Sequence, residues 1–425
     1  MAFRVYLGIS FTLAAMTGLV YTTIVVYRVD TAGLNPLQLV LVGTVLEAAY
    51  FVFQLPTGVL ADLRSSRACV VVGVGVLGAG LVVEGLLPSF VGIVVAQVVG
   101  ALGYALVSGA LEAWVAGEVG SSSLTRVYVR GSQAGLIGTV LGTAASGWVA
   151  GWRTNLPLLI GGAFLLATAS TLAFVMPERT RTRRAPKTAG TGGAGGGVEG
   201  EAGAVETVRA AWGLIRVRPA FLVVFAVVAL VGGWSEAIDR LWGAHLLENF
   251  RLPGPDATVW FSVLGVAATL LGLVVTQVIA ARAAETMRTL LVIVTALLVT
   301  TIVFGLVTNV WIAIGAALAL AAARTAFAPV LSAWLVERTD PGVRATVLST
   351  RDMFDATGQV IGGPALGAIG TWWSLRAALV AGSVALAPAA ALLVLARRRL
   401  RVAAAATPAD AAPPGDAVVG GDGAR

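Results

Sequence analysis

Ionisable side chains stand inside long apolar runs of this chain, and their chemistry has to be explained first. Glu47 falls near the middle of a run from about 37 to 61, and Arg324 lies deep in another from about 310 to 336. An ionisable group at the centre of a bilayer costs at least about 2.5–3.5 kcal/mol on insertion scales, so it is a candidate for function. A carboxyl group at such depth can take up and release a proton. Glu47 is the first choice for that role; the competing explanation is an ion pair that only packs two helices. An arginine at depth needs a carboxylate, a wet cavity or an anionic ligand. Glu47 is a conceivable partner for Arg324.

Three further clusters could act with them. In "SEAIDRLW", Glu236, Asp239 and Arg240 fall at i, i+3 and i+4, on one helical face. Glu236 and Arg240 can pair within the helix, which leaves Asp239 free. A wet outer gate and a binding site both fit this cluster. Glu112 lies towards the inner end of its run and could serve proton exit. In "RDMFDATGQVIGGPALG", Arg351 and Asp355 stand at i and i+4 and are expected to pair, with Asp352 facing another way. There an ion pair that orders the helix start is favoured over a transport role for Asp355.

The elements that hold these residues follow from composition. The chain has 425 residues, is 57% hydrophobic and only 12% charged. Soluble domains carry about a quarter charged residues, so lipid is the expected solvent. A helix needs about 20 apolar residues to cross a bilayer. Twelve runs qualify, near 5–27, 37–61, 68–87, 90–117, 130–152, 155–175, 219–246, 258–281, 289–307, 310–336, 345–370 and 374–396. Cations concentrate in alternate loops: Arg64 and Arg67, Arg126, the segment after 177, Arg282 and Arg288, Arg338 and Arg344, and the tail "RRRLR". The other loops hold Arg28, Arg153, Arg251 and Arg376. The positive-inside rule then expects a multi-pass protein of the cell (inner) membrane with both termini cytoplasmic. The net charge of +7 resides in these short loops, which speaks against nucleic acid as a partner. Trp372 and Trp373 suit an outer interfacial belt.

The expected organisation is a six-helix bundle over 1–176, a basic and Gly-rich cytoplasmic linker over 177–218, a second six-helix bundle over 219–398 and a disordered tail over 399–425. The halves resemble each other. "ALEAWVAGEV" around Trp114 matches "VLSAWLVERT" around Trp334, and "GTVLGTAASG" from Gly138 matches "GQVIGGPALG" from Gly358. Both matches share one offset, as an internal repeat requires. Small residues at Gly138, Gly142 and Gly147, and at Gly358, Gly362, Gly363 and Pro364, would let helices approach closely.

Between the second and third runs stands "GVLADLRSSR". Gly58, Asp62 and Arg67 match the loop signature Gly-x-x-x-Asp-Arg-x-Gly-x-Arg-Arg, while Leu63, Ser65 and Ala68 depart from it. With twelve spans and a six-plus-six repeat, the chain resembles the Major Facilitator Superfamily over about 5–396. The resemblance implies an all-α membrane protein of two pseudo-symmetric six-helix bundles. It implies alternating access around a midplane site, with Gly58, Asp62 and Arg67 acting as a conformational latch. A carboxylate such as Asp62 is favoured near a helix N-terminus, so the start of the eleventh span, near Val343 to Thr346, is its expected partner. Arg126 or Arg130 could pair with it as well. Exporters of the superfamily carry Gly-x-x-x-Gly-Pro-x-x-Gly-Gly in the fifth span; here Thr143 and Ser146 replace the Pro and one Gly. Their arginine in the fourth span is Ala96 here.

The resemblance therefore implies a secondary transporter rather than an enzyme. The preferred reading is proton-coupled export of a small amphipathic molecule, a drug or secondary metabolite, by a monomer; the alternative is an importer or facilitator of a small polar solute. Cys69 is the only cysteine and His245 the only histidine, so no metal site and no His-based catalytic set is expected. No G-x-x-x-x-G-K-[ST] loop is present, so no cofactor is expected and ATP is not the expected energy source.

Overall fold

In a computed structural model, the described residues are 1–63, 65–119, 124–177, 219–254, 256–282, 285–339 and 344–406. Twelve long helices account for nearly all of them. They are α1 Ala2–Tyr21, α2 Pro36–Leu63, α3 Ser66–Leu86, α4 Phe90–Val119, α5 Leu124–Trp152 and α6 Leu156–Val175. The second set is α7 Pro219–Asn249, α8 Ala257–Arg282, α9 Thr286–Leu306, α10 Val310–Glu337, α11 Arg344–Trp372 and α12 Leu375–Ala406. No strand occurs among the described residues. Eleven of the helices are long and apolar enough to cross a membrane. The exception is α11, whose first turns carry Arg344, Arg351, Asp352 and Asp355.

The ends of the elements depart from the sequence reading at two places. The first span is not one helix to residue 27. It breaks at Thr22 and Thr23, then continues as a short helix Ile24–Val26 and a π-helical turn Tyr27–Thr31. Thr22 Oγ1 donates to the Gly18 carbonyl at 2.6 Å, and Thr23 and Ser146 share a hydrogen bond of 2.9 Å. Hydroxyls bonded to a preceding turn are a common cause of helix bending. At the other end, α12 runs on to Ala406, past the expected boundary at 398. The linker over 178–218 and the tail after 406 lie outside the described residues.

Packing repeats between the halves. In the first bundle α1 packs on α5, α2 on α4, α3 on α4, and α3 on α6. In the second, α7 packs on α11, α8 on α10, α9 on α10, and α9 on α12. These are the same partners shifted by six helices. Each bundle keeps its own apolar core: one around Phe225, Trp234 and Trp334, the other around Val70, Val74 and Trp114. The bundles meet along α2 with α11 and α5 with α8, again a symmetric pair, with α2 also touching α7.

Glycines allow the closest approaches. A Cβ added at Gly142 would strike the Ala15 carbonyl oxygen, and one at Gly138 the Phe11 carbonyl oxygen, so α1 lies directly against α5. In the second bundle a Cβ at Gly358 would strike the Ala229 carbonyl oxygen, and one at Gly362 would come within 2.6 Å of the Gly233 Cα. Pro364 lies within α11, one residue beyond Gly363.

Candidate functional site

Cross-bundle hydrogen bonds made between described residues gather at one end of the molecule, where α2 and α8 begin and α5 and α11 end. The Leu37 N–H donates to Thr371 Oγ1 at 2.8 Å. The Gly147 N–H donates to Ser262 Oγ at 2.6 Å, and Thr258 Oγ1 donates to the Gly147 carbonyl at 2.9 Å. Gly147 is required there, because a Cβ would come within 2.6 Å of the Thr258 carbonyl oxygen. Gly363 likewise lets Val40 of α2 approach; a Cβ would meet Val40 Cγ1 at 3.2 Å and Glu236 Cγ at 2.9 Å.

Just inside this closed end lies the main concentration of charge. Arg240 Nε donates to Glu236 Oε1 at 3.0 Å, the pairing expected from their spacing. Gly43 of α2 faces this pair so closely that a Cβ would overlap both side chains. Asp239 is not free. It takes a two-pronged contact from Arg324 of α10, Nη1 to Oδ1 and Nη2 to Oδ2. The conceivable Arg324–Glu47 pair is therefore replaced by Arg324–Asp239. A planar guanidinium meets a carboxylate best in this bidentate form.

Asp355 accepts from Gln359 Nε2 at 2.7 Å. Its expected partner Arg351 turns instead to the neighbouring Asp352, and donates to Ser332 Oγ at 2.8 Å. The expected Arg351–Asp355 pair is thus absent among the described residues. At i and i+1 the short Asp352 side chain sits beside the guanidinium, and Ser332 on α10 draws that group away from Asp355.

Glu47 is half-buried on α2 and makes no hydrogen bond or ion pair among the described residues. Its charged neighbours lie across the bundle interface: Glu236, Arg240 and Asp355. Arg324 in turn faces Asp355 and Glu236. Six of the seven sequence candidates thus converge: Glu47, Glu236, Asp239, Arg240, Arg324 and Asp355. Four are carboxyl groups and two are guanidinium groups. Glu112 does not join them. It is exposed on α4, with Tyr6 as a neighbour.

The latch residues are placed only in part. Gly58 falls within α2, but the Asp62 side chain and the segment 340–343 lie outside the described residues, as do the side chains of Ala345 and Thr346. Arg67 donates through Nη2 to the Ala173 carbonyl of α6. Arg126 is exposed, and Arg130 donates to Gln133 Oε1 at 3.2 Å.

A second polar group went unrecognised in the sequence. Arg28 and Glu84 are buried, 3% and 1% exposed. Arg28 donates from Nε and Nη2 to Glu84 Oε1 at 2.9 and 2.7 Å, and Gln97 Nε2 donates to Glu84 Oε2 at 2.6 Å. The Tyr27 hydroxyl donates to the Glu84 carbonyl at 2.5 Å. Arg28 stood among the sparse cations of a loop; the π-helical turn carries it into the bundle instead. The available signal was Glu84 itself, an acid inside an apolar run. Between this group and Glu47 lies a cavity of about 490 Å³, lined wholly by α1–α4 and α6.

Two helical bundles related by an internal repeat, with charged side chains gathered where they meet, are the architecture of a two-bundle membrane transporter. The Major Facilitator Superfamily model matches residues 6–270, and the chain belongs to that family. Solved structures agree in fold. The nucleoside transporter NupG superposes with a TM-score of 0.73 at 13% identity, over 94% of this chain and 100% of that one. A bacterial homolog of the human lysosomal transporter Spinster, in an inward-facing and occupied conformation, gives 0.73 at 16% identity, over 94% and 97%. A POT family transporter in complex with a thioalcohol-conjugated peptide gives 0.67 at 14% identity, over 93% and 95%. The sequence matches no curated protein.

Proposed function

We propose that this chain is a proton-coupled secondary transporter that exports a small amphipathic molecule by alternating access. One observation carries the coupling: four carboxyl groups face two guanidinium groups at the bundle interface, and Glu47 among them has no ion-pair partner among the described residues. An excess of acid in a low-dielectric setting is relieved by binding a proton. Glu47 would carry it. Asp239 and Arg324 would hold α7 against α10, and Glu236 with Arg240 would line the gate. Glu112, exposed on the side where the bundles are not seen to join, would serve proton exit.

The arginine-rich loops would face the cytoplasm, which places the closed end outside and the termini inside. Asp62, with Gly58 and Arg67, would latch the opposite end when the cycle reverses. Export rather than uptake is supported by the glycine pattern of α5. The protein would work as a monomer in the cell membrane.

The test is proton movement in proteoliposomes under an imposed pH gradient. Wild-type protein should show substrate-dependent proton flux, and Glu47→Gln should lose it while folding normally. An unchanged flux in Glu47→Gln removes the coupling assignment. Substrate accumulation in inverted vesicles supports export; accumulation only in right-side-out vesicles supports uptake.

A further inference from the structure

We infer that the first bundle carries a binding cavity of its own, shaped for a largely apolar molecule that donates one hydrogen bond, with Gln97 as the group that reads the donor. This deepens the transport reading, on which it rests for calling the occupant cargo. The cavity of about 490 Å³ is lined by α1–α4 and α6 and receives no residue from the second bundle. That size suits a small organic ligand. Leu13, Met16, Leu77, Leu81, Val107 and Leu165 give it apolar walls.

Gln97 is only 4% exposed. Its amide orientation is fixed by chemistry, since Nε2 donates to Glu84 Oε2 at 2.6 Å, and a flipped amide would set an oxygen against a carboxylate. Oε1 is then left over, and it has no hydrogen-bond partner among the described residues. A buried acceptor without a partner is unfavourable and rare. Gln97 lines the cavity, so a donor lodged there would complete it. Of the Glu84 oxygens, Oε1 is filled by two bonds from Arg28, and Oε2 already takes one from Gln97, so Gln97 Oε1 is the acceptor left with no bond at all among the described residues.

One helical turn on, Gly100 also lines the cavity, and a Cβ there would meet nothing within 4 Å. Glycine thus leaves open space beside Gln97 where a side chain would begin. At the other wall stand Glu47 and the Tyr50–Tyr104 ring pair, with centroids 5.0 Å apart. The cavity therefore shares a wall with the charged interface, and an occupant would extend from Gln97 towards the proposed proton carrier.

The experiment uses the full chain in lipid nanodiscs and a tritiated series of naphthyl-alkanols from ethanol to hexanol, each with its methyl ether. The alcohol should bind saturably, and tighter than its ether by about threefold to tenfold, the worth of one net hydrogen bond. Gln97→Leu should erase that preference. Because this change also strips a donor from Glu84, Gly100→Leu is the second arm. It should keep the wild-type unfolding temperature and weaken binding of alcohol and ether alike by at least about tenfold, as blocking an apolar pocket does. Three results would overturn the inference: no binding across the series, equal binding of alcohol and ether, or unaltered binding in Gly100→Leu. Proton coupling fails separately. If Glu47→Gln leaves flux unchanged but the alcohol preference persists, the cavity stands and the coupling falls; substrate-dependent proton flux without the preference gives the reverse.

Discussion

Two ion pairs of this chain use the same groups and should behave differently, because their surroundings differ. Arg28 and Glu84 are 3% and 1% exposed, whereas Arg324 and Asp239 are 35% and 42% exposed. Removing one member of a buried pair strands a charge and costs about 3–5 kcal/mol. Glu84→Gln should therefore lower stability by that order, read as thermal unfolding in detergent. A half-exposed pair keeps part of its solvation, so breaking it costs less than breaking the buried one. Asp239→Asn should shift unfolding less than Glu84→Gln does yet impair transport, and the exchange Asp239→Arg with Arg324→Asp should recover part of the transport. Full transport in Asp239→Asn would argue that the pair is incidental. At this scale i, i+4 spacing made Glu236 with Arg240 legible, but the same spacing mispaired Arg351 with Asp355. The sequence was not legible where partners lie on different helices. Nothing local tells Arg324 to choose Asp239, 85 positions away, or Arg351 to prefer the adjacent Asp352 and Ser332 across the bundle over Asp355.

At the scale of the helix, glycine position matters more than glycine number. Gly142 lies against the Ala15 carbonyl oxygen, whereas a Cβ at Gly109 would meet nothing within 4 Å. Gly142→Ala should force α1 away from α5 and cost about 1–3 kcal/mol, as overpacking does. Gly109→Ala should be neutral or slightly stabilising, through better helix propensity alone. Parallel unfolding scans in detergent check both, and equal stability of the two variants would refute the close-packing account. Helix existence was plain from apolar length, since a bilayer imposes it. Boundaries were less plain. The run from 5 to 27 conceals the break at Thr22 and Thr23, because threonines are apolar enough for a span, and the bond of Thr23 to Ser146 on α5 depends on a tertiary contact. For the same reason Arg28 read as a loop cation, although the π-helical turn buries it against α3.

For the whole molecule, the internal repeat makes the argument for motion. Contacts of α2 with α11 and of α5 with α8 are equivalent under that repeat, so both interfaces can open or close as one rigid rotation of the bundles. Among the described residues, their hydrogen bonds, Leu37 with Thr371 and Gly147 with Thr258 and Ser262, lie at one end. If alternating access operates, this end must separate in every cycle. Cys69 is the only native cysteine, so a Cys69→Ser background leaves a clean test. In it, Asn35→Cys and Thr371→Cys place two thiols where Thr371 Oγ1 now lies 3.5 Å from Asn35 Oδ1. Oxidation should abolish transport in proteoliposomes, and reduction should restore it. Each single cysteine should transport normally under both conditions. The same cross-link should leave thiol labelling of a cysteine at exposed Arg126, on the opposite end of α5, accessible. Continued flux through the cross-linked protein would mean that this end need not open, and would replace the rocking of two bundles with a fixed pathway.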